Sequence, residues 1–190
     1  MKRILCILLI VALSISITTG VVLAKSTTQK IEYDLDEGTY ESWGLIETEE
    51  VNVPASAVFS GNLKIKEENS DSSPQYFYLS PMSGTITIND VVHQMLVKPI
   101  KPSEIILYSE RELGQPGEIG YWYEKELWCF VEVAIEGSRY TGMLYSRYYL
   151  KIDTLGEEVE GGESELRFAG IMDEKWVECV LTSDSWPEIN

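Results

Sequence analysis

The chain has 190 residues and a formal net charge of −16, with 31 acidic side chains against 15 basic ones. So negative a chain repels nucleic acid and anionic membrane surfaces, which excludes both as electrostatic partners. It suits cations, basic partners, neutral glycans, or solubility alone.

The first residues, Met1-Lys2-Arg3, precede an apolar run from Ile4 to Ile17 and a softer stretch ending at Ala24. A positive start, a short apolar core and small residues at Val22 and Ala24 predict a secretory leader over residues 1–24, and hence a secreted protein. The alternative is attachment to a membrane through uncleaved residues 4–24, because about 20 apolar residues span a bilayer. Thr18, Thr19 and Gly20 interrupt the run and favour cleavage. Loss of the leader leaves 13 basic against 31 acidic residues, or −18.

Beyond the leader, helical periodicity is almost absent. Short runs rich in Tyr, Val, Ile, Trp and Thr, bounded by Gly, Pro, Ser, Asn and Asp, predict a mostly β protein. Residues 25–98 read as an N-terminal β region. Its candidate strands are Lys30–Leu35, Ser42–Val53, Ala57–Glu68, Gln75–Ser80 and Gly84–Asn89, with a polar loop at Asn69–Pro74. Asp90–Ile100 reads as a strand or one helical turn. Pro99 and Pro102 lack amide donors, so Lys98–Pro102 cannot be a central strand and marks a boundary.

The next unit, 103–153, opens with strand Glu104–Ser109, a loop at Arg111–Glu118 and strand Ile119–Lys125. In Leu127–Gly137 the period of two sends Leu127, Cys129, Val131, Val133 and Ile135 to the core. Trp128, Phe130, Glu132 and Ala134 take the other face. Glu136-Gly137 supplies a turn, and Ser138–Ser146 returns as a paired strand with Gly142 at a close approach. Ser146–Leu150 reads as a tight helical turn, and the acidic, glycine-rich Gly156–Glu165 as an exposed loop or hairpin arm. Residues 154–190 end in a C-terminal hairpin, with its turn at Asp173–Lys175. Lys125–Val133 and Asp173–Leu181 both place a Trp ahead of alternating apolar residues with a Cys nearby, which predicts similar places in the sheet. Two cysteines beyond the leader of an exported chain predict a Cys129–Cys179 disulfide. Its loop of about fifty residues would make it worth about 4 kcal/mol.

Trp128 and Val131, then Gly137, Gly142 and Leu144, then Ser146 and Tyr148, together resemble the second half of bacterial SH3-like (SH3b) domains. The resemblance covers about 45 residues. Met143 stands where the family has an aromatic, the Gly137–Gly142 connection is longer, and Tyr149 replaces a Leu. It implies a small barrel over 103–153 that binds cell-wall glycan or peptide, or an extracellular protein, with no chemistry and no cofactor. The candidate ligand-binding residues are Tyr121, Trp122, Tyr123, Trp128, Tyr140, Tyr145 and Tyr148. Aromatic faces stack on sugars and prolines. The period of two sets Trp122 opposite Tyr121 and Tyr123, and many of these rings could equally pair across strands or fill a core.

Little in the sequence points to catalysis. The one histidine, His93, has no nucleophile motif beside it. One His and two structural Cys serve zinc poorly. Asp34-Leu35-Asp36-Glu37-Gly38 places its Gly too early for a calcium loop and lacks the closing Glu. Nothing among the 31 acidic residues singles out a hydrolytic carboxylate pair. The leading expectation is therefore a non-enzymatic binding protein. A secreted hydrolase using such a pair, or an inhibitory module acting through a flat strand edge, stand as alternatives.

Overall fold

Val91–Pro99 and Leu127–Ile135 each alternate side chains that are buried with side chains that are not, so each forms a strand with two unlike faces. That pattern recurs along the chain. The computed structural model describes residues 26–44, 50–66, 76–100, 106–109, 121–152, 157–172 and 174–190. The predicted leader and the candidate loops 69–74 and 111–118 lie outside them. Every regular element among the described residues is a strand: β1 (Ser26–Leu35), β2 (Glu37–Gly44), β3 (Glu50–Lys66), β4 (Tyr76–Leu79), β5 (Met82–Ile88) and β6 (Val91–Pro99). They are followed by β7 (Ile106–Ser109), β8 (Tyr121–Ile135), β9 (Ser138–Ile152), β10 (Glu158–Met172), β11 (Lys175–Ser183) and β12 (Glu188–Ile189).

These strands make a closed antiparallel barrel of eight staves. Four staves are interrupted. β1 and β2 both run antiparallel to β3, and between Leu35↔Ala57 and Thr39↔Pro54 the register slips by one residue at a bulge near Asp36. β4 and β5 share the other edge of β3 in the same way, broken at Ser80-Pro81. β6 and β7 both pair with β8, and β11 and β12 continue each other against β2 and β1. Each stave pairs with the next in sequence, and the last pairs with the first. Closure leaves little free strand edge.

Pro99, read from sequence as a boundary, ends β6 while still facing Val131, and the Ile100 amide then donates to the Phe130 carbonyl. Strands from 25–98, 103–153 and 154–190 are all neighbours in one wall. The far edge of β9 is occupied by β10 through pairs running from Thr141↔Ala169 to Ile152↔Glu158. Two expectations are corrected by that pairing. Ser146–Leu150 is strand, not a helical turn, and Glu158–Glu165 is strand, not an exposed arm. Pairing on both edges of β9 outweighs the weak strand propensity of Gly161-Gly162 and the glutamates around them.

Inside lies one apolar core. Tyr33 stacks on Phe59 at 5.0 Å, Tyr140 lies on Phe168 at 5.3 Å, and Ile31, Leu35, Met82, Ile86, Val97, Leu144, Leu166 and Leu181 fill the space between. The outer face carries cross-strand ion pairs such as Arg139–Glu132 (3.5 Å) and Arg167–Glu178 (3.3 Å). They are exposed and contribute little stability. An apolar inside with a charged outside is the reverse of a membrane-spanning barrel's polarity.

The predicted disulfide is absent: Cys129 and Cys179 are buried free thiols. Both point inward, but β9 and β10 stand between their strands. Three spacings of about 4.8 Å set the two Cα atoms well beyond the roughly 7 Å that a bridge tolerates. The Trp–Cys stretches are alike in orientation only. Burial pushes both thiols up to about 12.

Candidate functional site in the barrel mouth

The two ends of the barrel are built differently. At one end two of the connections are tight turns. Ile88↔Val91 closes on Asn89-Asp90 (φ 48° and 65°), and Ile135↔Ser138 closes on Glu136-Gly137 (φ 49° and 91°). Two successive left-handed residues make the turn type whose twist matches a hairpin. At the opposite end, β11 leaves the wall after Ser183 and its chain crosses Gly162, where an added Cβ would lie 2.3 Å from the Trp186 amide nitrogen. Ser164 Oγ donates to the Ser185 carbonyl at 2.7 Å, and Trp186 packs edge-on to Tyr148 at 6.3 Å. Beneath this strap, Ser146 Oγ donates to Tyr33 Oη at 3.3 Å and lies 3.3 Å from Ser164 Oγ. Burial raises the Tyr33 phenol, with Ser146 opposing the shift.

The tight-turn mouth carries no such strap among the described residues. It holds a cavity of about 380 Å³ lined by Tyr40, Ile88, His93, Ile135, Glu136, Ser138, Tyr140 and Met172. These come from six of the eight staves and the β8–β9 turn. An eight-stranded barrel is about wide enough to hold one small ligand, and barrel mouths are frequent binding sites.

The hydroxyl groups at this mouth have a direction. A thioether sulfur only accepts hydrogen bonds. Ser138 Oγ lies 2.8 Å and Tyr140 Oη 3.0 Å from Met172 Sδ, so both hydroxyls donate to it. Tyr40 is raised to about 12, first by burial, then by the Tyr140 phenol beside it and a hydrogen bond to that phenol. His93 Nδ1 stands 3.0 Å from Glu136 Oε1, in ion-pair range but too far off line for a hydrogen bond. Among the described residues no hydrogen bond joins Ser138 to His93.

The residues expected to bind do not share one surface. Tyr140 points inward and is buried at the cavity. Trp128 and Tyr145 face each other across β8 and β9 on the outer wall, where Trp128 meets the exposed Phe130 edge-on at 5.6 Å. Tyr148 lies at the strapped end, with its hydroxyl donating to Glu160 at 2.7 Å. Tyr121, Trp122 and Tyr123 belong to β8 with a register shift between Tyr121 and Tyr123, and their side chains lie outside the described residues. Sequence reasoning missed Tyr40, Ser138, Met172 and the partnership of His93 with Glu136. The available signal was two hairpin turns, Asn89-Asp90 and Glu136-Gly137, on neighbouring staves with His93 just inside one of them.

A second hollow, of about 330 Å³, lies at the breaks between β1 and β2 and after β11, lined by Asp34, Asp36, Glu37, Asp184 and neighbouring hydroxyls. No group of three or more His, Cys, Asp or Glu is placed to hold a metal ion among the described residues. No family model matches the chain, and neither the curated proteins nor the solved structures contain a match.

Proposed function

We propose that the protein is an exported, non-enzymatic binding protein that takes a small, largely apolar ligand into the open mouth of its barrel. The cavity of about 380 Å³ carries this reading, since it combines Ile88, Ile135 and Met172 with a few converging polar groups. The basic and apolar leader of residues 1–24 supports export. Thermal unfolding with n-octanol tests it. At tenfold over its dissociation constant a ligand adds about 1.4 kcal/mol, or roughly 3–6 °C. Wild type and Ser138→Ala should gain that shift, and Ser138→Trp, which fills the mouth, should not. Equal shifts in all three proteins, or none in any, would reject the site.

A second reading places recognition of cell-wall glycan or peptide, or of an extracellular protein, on the outer wall. Phe130 is 59% exposed beside Trp128, with Tyr145 on the next strand, and Leu96 and Ile100 are also exposed. The SH3-like resemblance of residues 103–153 supports this alternative. Retention on peptidoglycan that Phe130→Ser abolishes and Ser138→Trp does not would favour it.

A further inference from the structure

We infer that the ligand class for the mouth is an amphiphilic organic cation, a primary ammonium with an apolar body. The inference rests on the mouth-binding reading and follows from the proton inventory of the cavity. Ser138, Tyr140 and Tyr40 each have one hydroxyl proton. The Ser138 and Tyr140 protons both go to Met172 Sδ. A hydroxyl that has given its proton away can only accept. At Ser138 and Tyr140 the mouth therefore offers a guest acceptor oxygens.

The charge at the mouth agrees. The Glu136 carboxylate stands at the rim and is 62% exposed, in contact with His93 on its inner side. The described connections around this end also carry Asp90 and Glu174, with Lys175 as the cation beside them. Arg139 is drawn onto the outer wall by Glu132. An anionic head group would meet lone pairs and carboxylates, and a neutral hydroxyl would gain only one donated bond. An ammonium brings three donors and a charge opposite to Glu136. Its alkyl body would lie against Ile88, Ile135 and the Met172 chain, where burial of apolar area drives entry.

Three probes with one body and different heads test this: n-octylammonium, n-octanol and octanoate, titrated calorimetrically at pH 7 and low salt into the mature protein. Octylammonium should bind at least tenfold more tightly than octanol, and octanoate more weakly than both. Glu136→Gln should erase the preference for octylammonium over octanol. Glu132→Gln, which neutralises a carboxylate of the outer wall, should preserve it. Octanoate binding as tightly as octylammonium would overturn the inference, and so would a preference untouched by Glu136→Gln or erased equally by Glu132→Gln. If octanol binds without any preference for the cation, the ligand class falls and the mouth site stands. If none of the three binds, the mouth site falls as well.

Discussion

Replacing Gly142 by Ala adds one methyl group to the inner face of β9, and the structure gives its surroundings. The new carbon would lie 2.3 Å from the Arg167 carbonyl oxygen, 2.8 Å from Phe168 Cβ and 3.0 Å from Phe168 Cα. All three belong to the backbone of β10 or are fixed to it, so no rotamer change relieves the clash. A normal carbon–oxygen contact is near 3.2 Å, so β10 must retreat by almost 1 Å. It is held there by ladders to β9 and β11. Forced overpacking of this kind costs about 3 kcal/mol, which in a chain this size lowers the melting temperature by roughly 6–12 °C. Gly137→Ala is the control. Nothing lies within 4 Å of the added carbon there, and only the left-handed φ of +91° opposes it. Its cost should be about 1 kcal/mol. Urea unfolding followed by near-ultraviolet circular dichroism measures both. A Gly142→Ala protein within about 0.5 kcal/mol of wild type, or no worse than Gly137→Ala, would refute the β9–β10 packing described above.

Cys129 and Cys179 should resist thiol reagents at neutral pH until denaturant is added, and peptide mapping should find both reduced. Their folded pKa values lie above the ordinary 9.0, at about 12, so the stability that comes from burying them protonated is complete below pH 9. It is lost as pH rises from 9 to 12, by up to about 4 kcal/mol for each thiol. Unfolding midpoints measured from pH 8 to 12 should fall, and less steeply in Cys179→Ala. Ser146→Ala removes the hydrogen bond to the buried Tyr33 hydroxyl and should cost about 1–2 kcal/mol in urea. Phe130→Ser alters an exposed ring and should change stability by less than about 0.5 kcal/mol.

The strands were legible because each declares its faces locally. Leu127, Cys129, Val131, Val133 and Ile135 are buried as their alternation predicts, and Phe130 on the other face is exposed. Closure was not legible. The same alternation serves a five-stranded barrel and an eight-stranded one, and what decides is the partner of β9's far edge. That partner, β10, begins with Glu158, Glu160, Gly161, Gly162 and Glu163, a composition that reads as loop until pairing is considered. The site failed to appear for a related reason. His93 and Glu136 are 43 positions apart in sequence and meet because β6 and β8 are neighbours, with Met95 opposite Ile135. The aromatic candidates were marked by the SH3-like resemblance, which does not say which side of a wall a ring is on.

The seam between the first and last staves sets the order in which this molecule can be made. Trp43 meets Trp176 there at 6.2 Å, and Thr182 bonds to the Glu37 carbonyl 145 positions away. A nascent or translocating chain emerges with its opening strand bare along one side. That side stays bare until β11 has been delivered. So distant a handshake makes for slow folding, on a scale of milliseconds to seconds, and the waiting strand is the part a holding chaperone would be expected to grip.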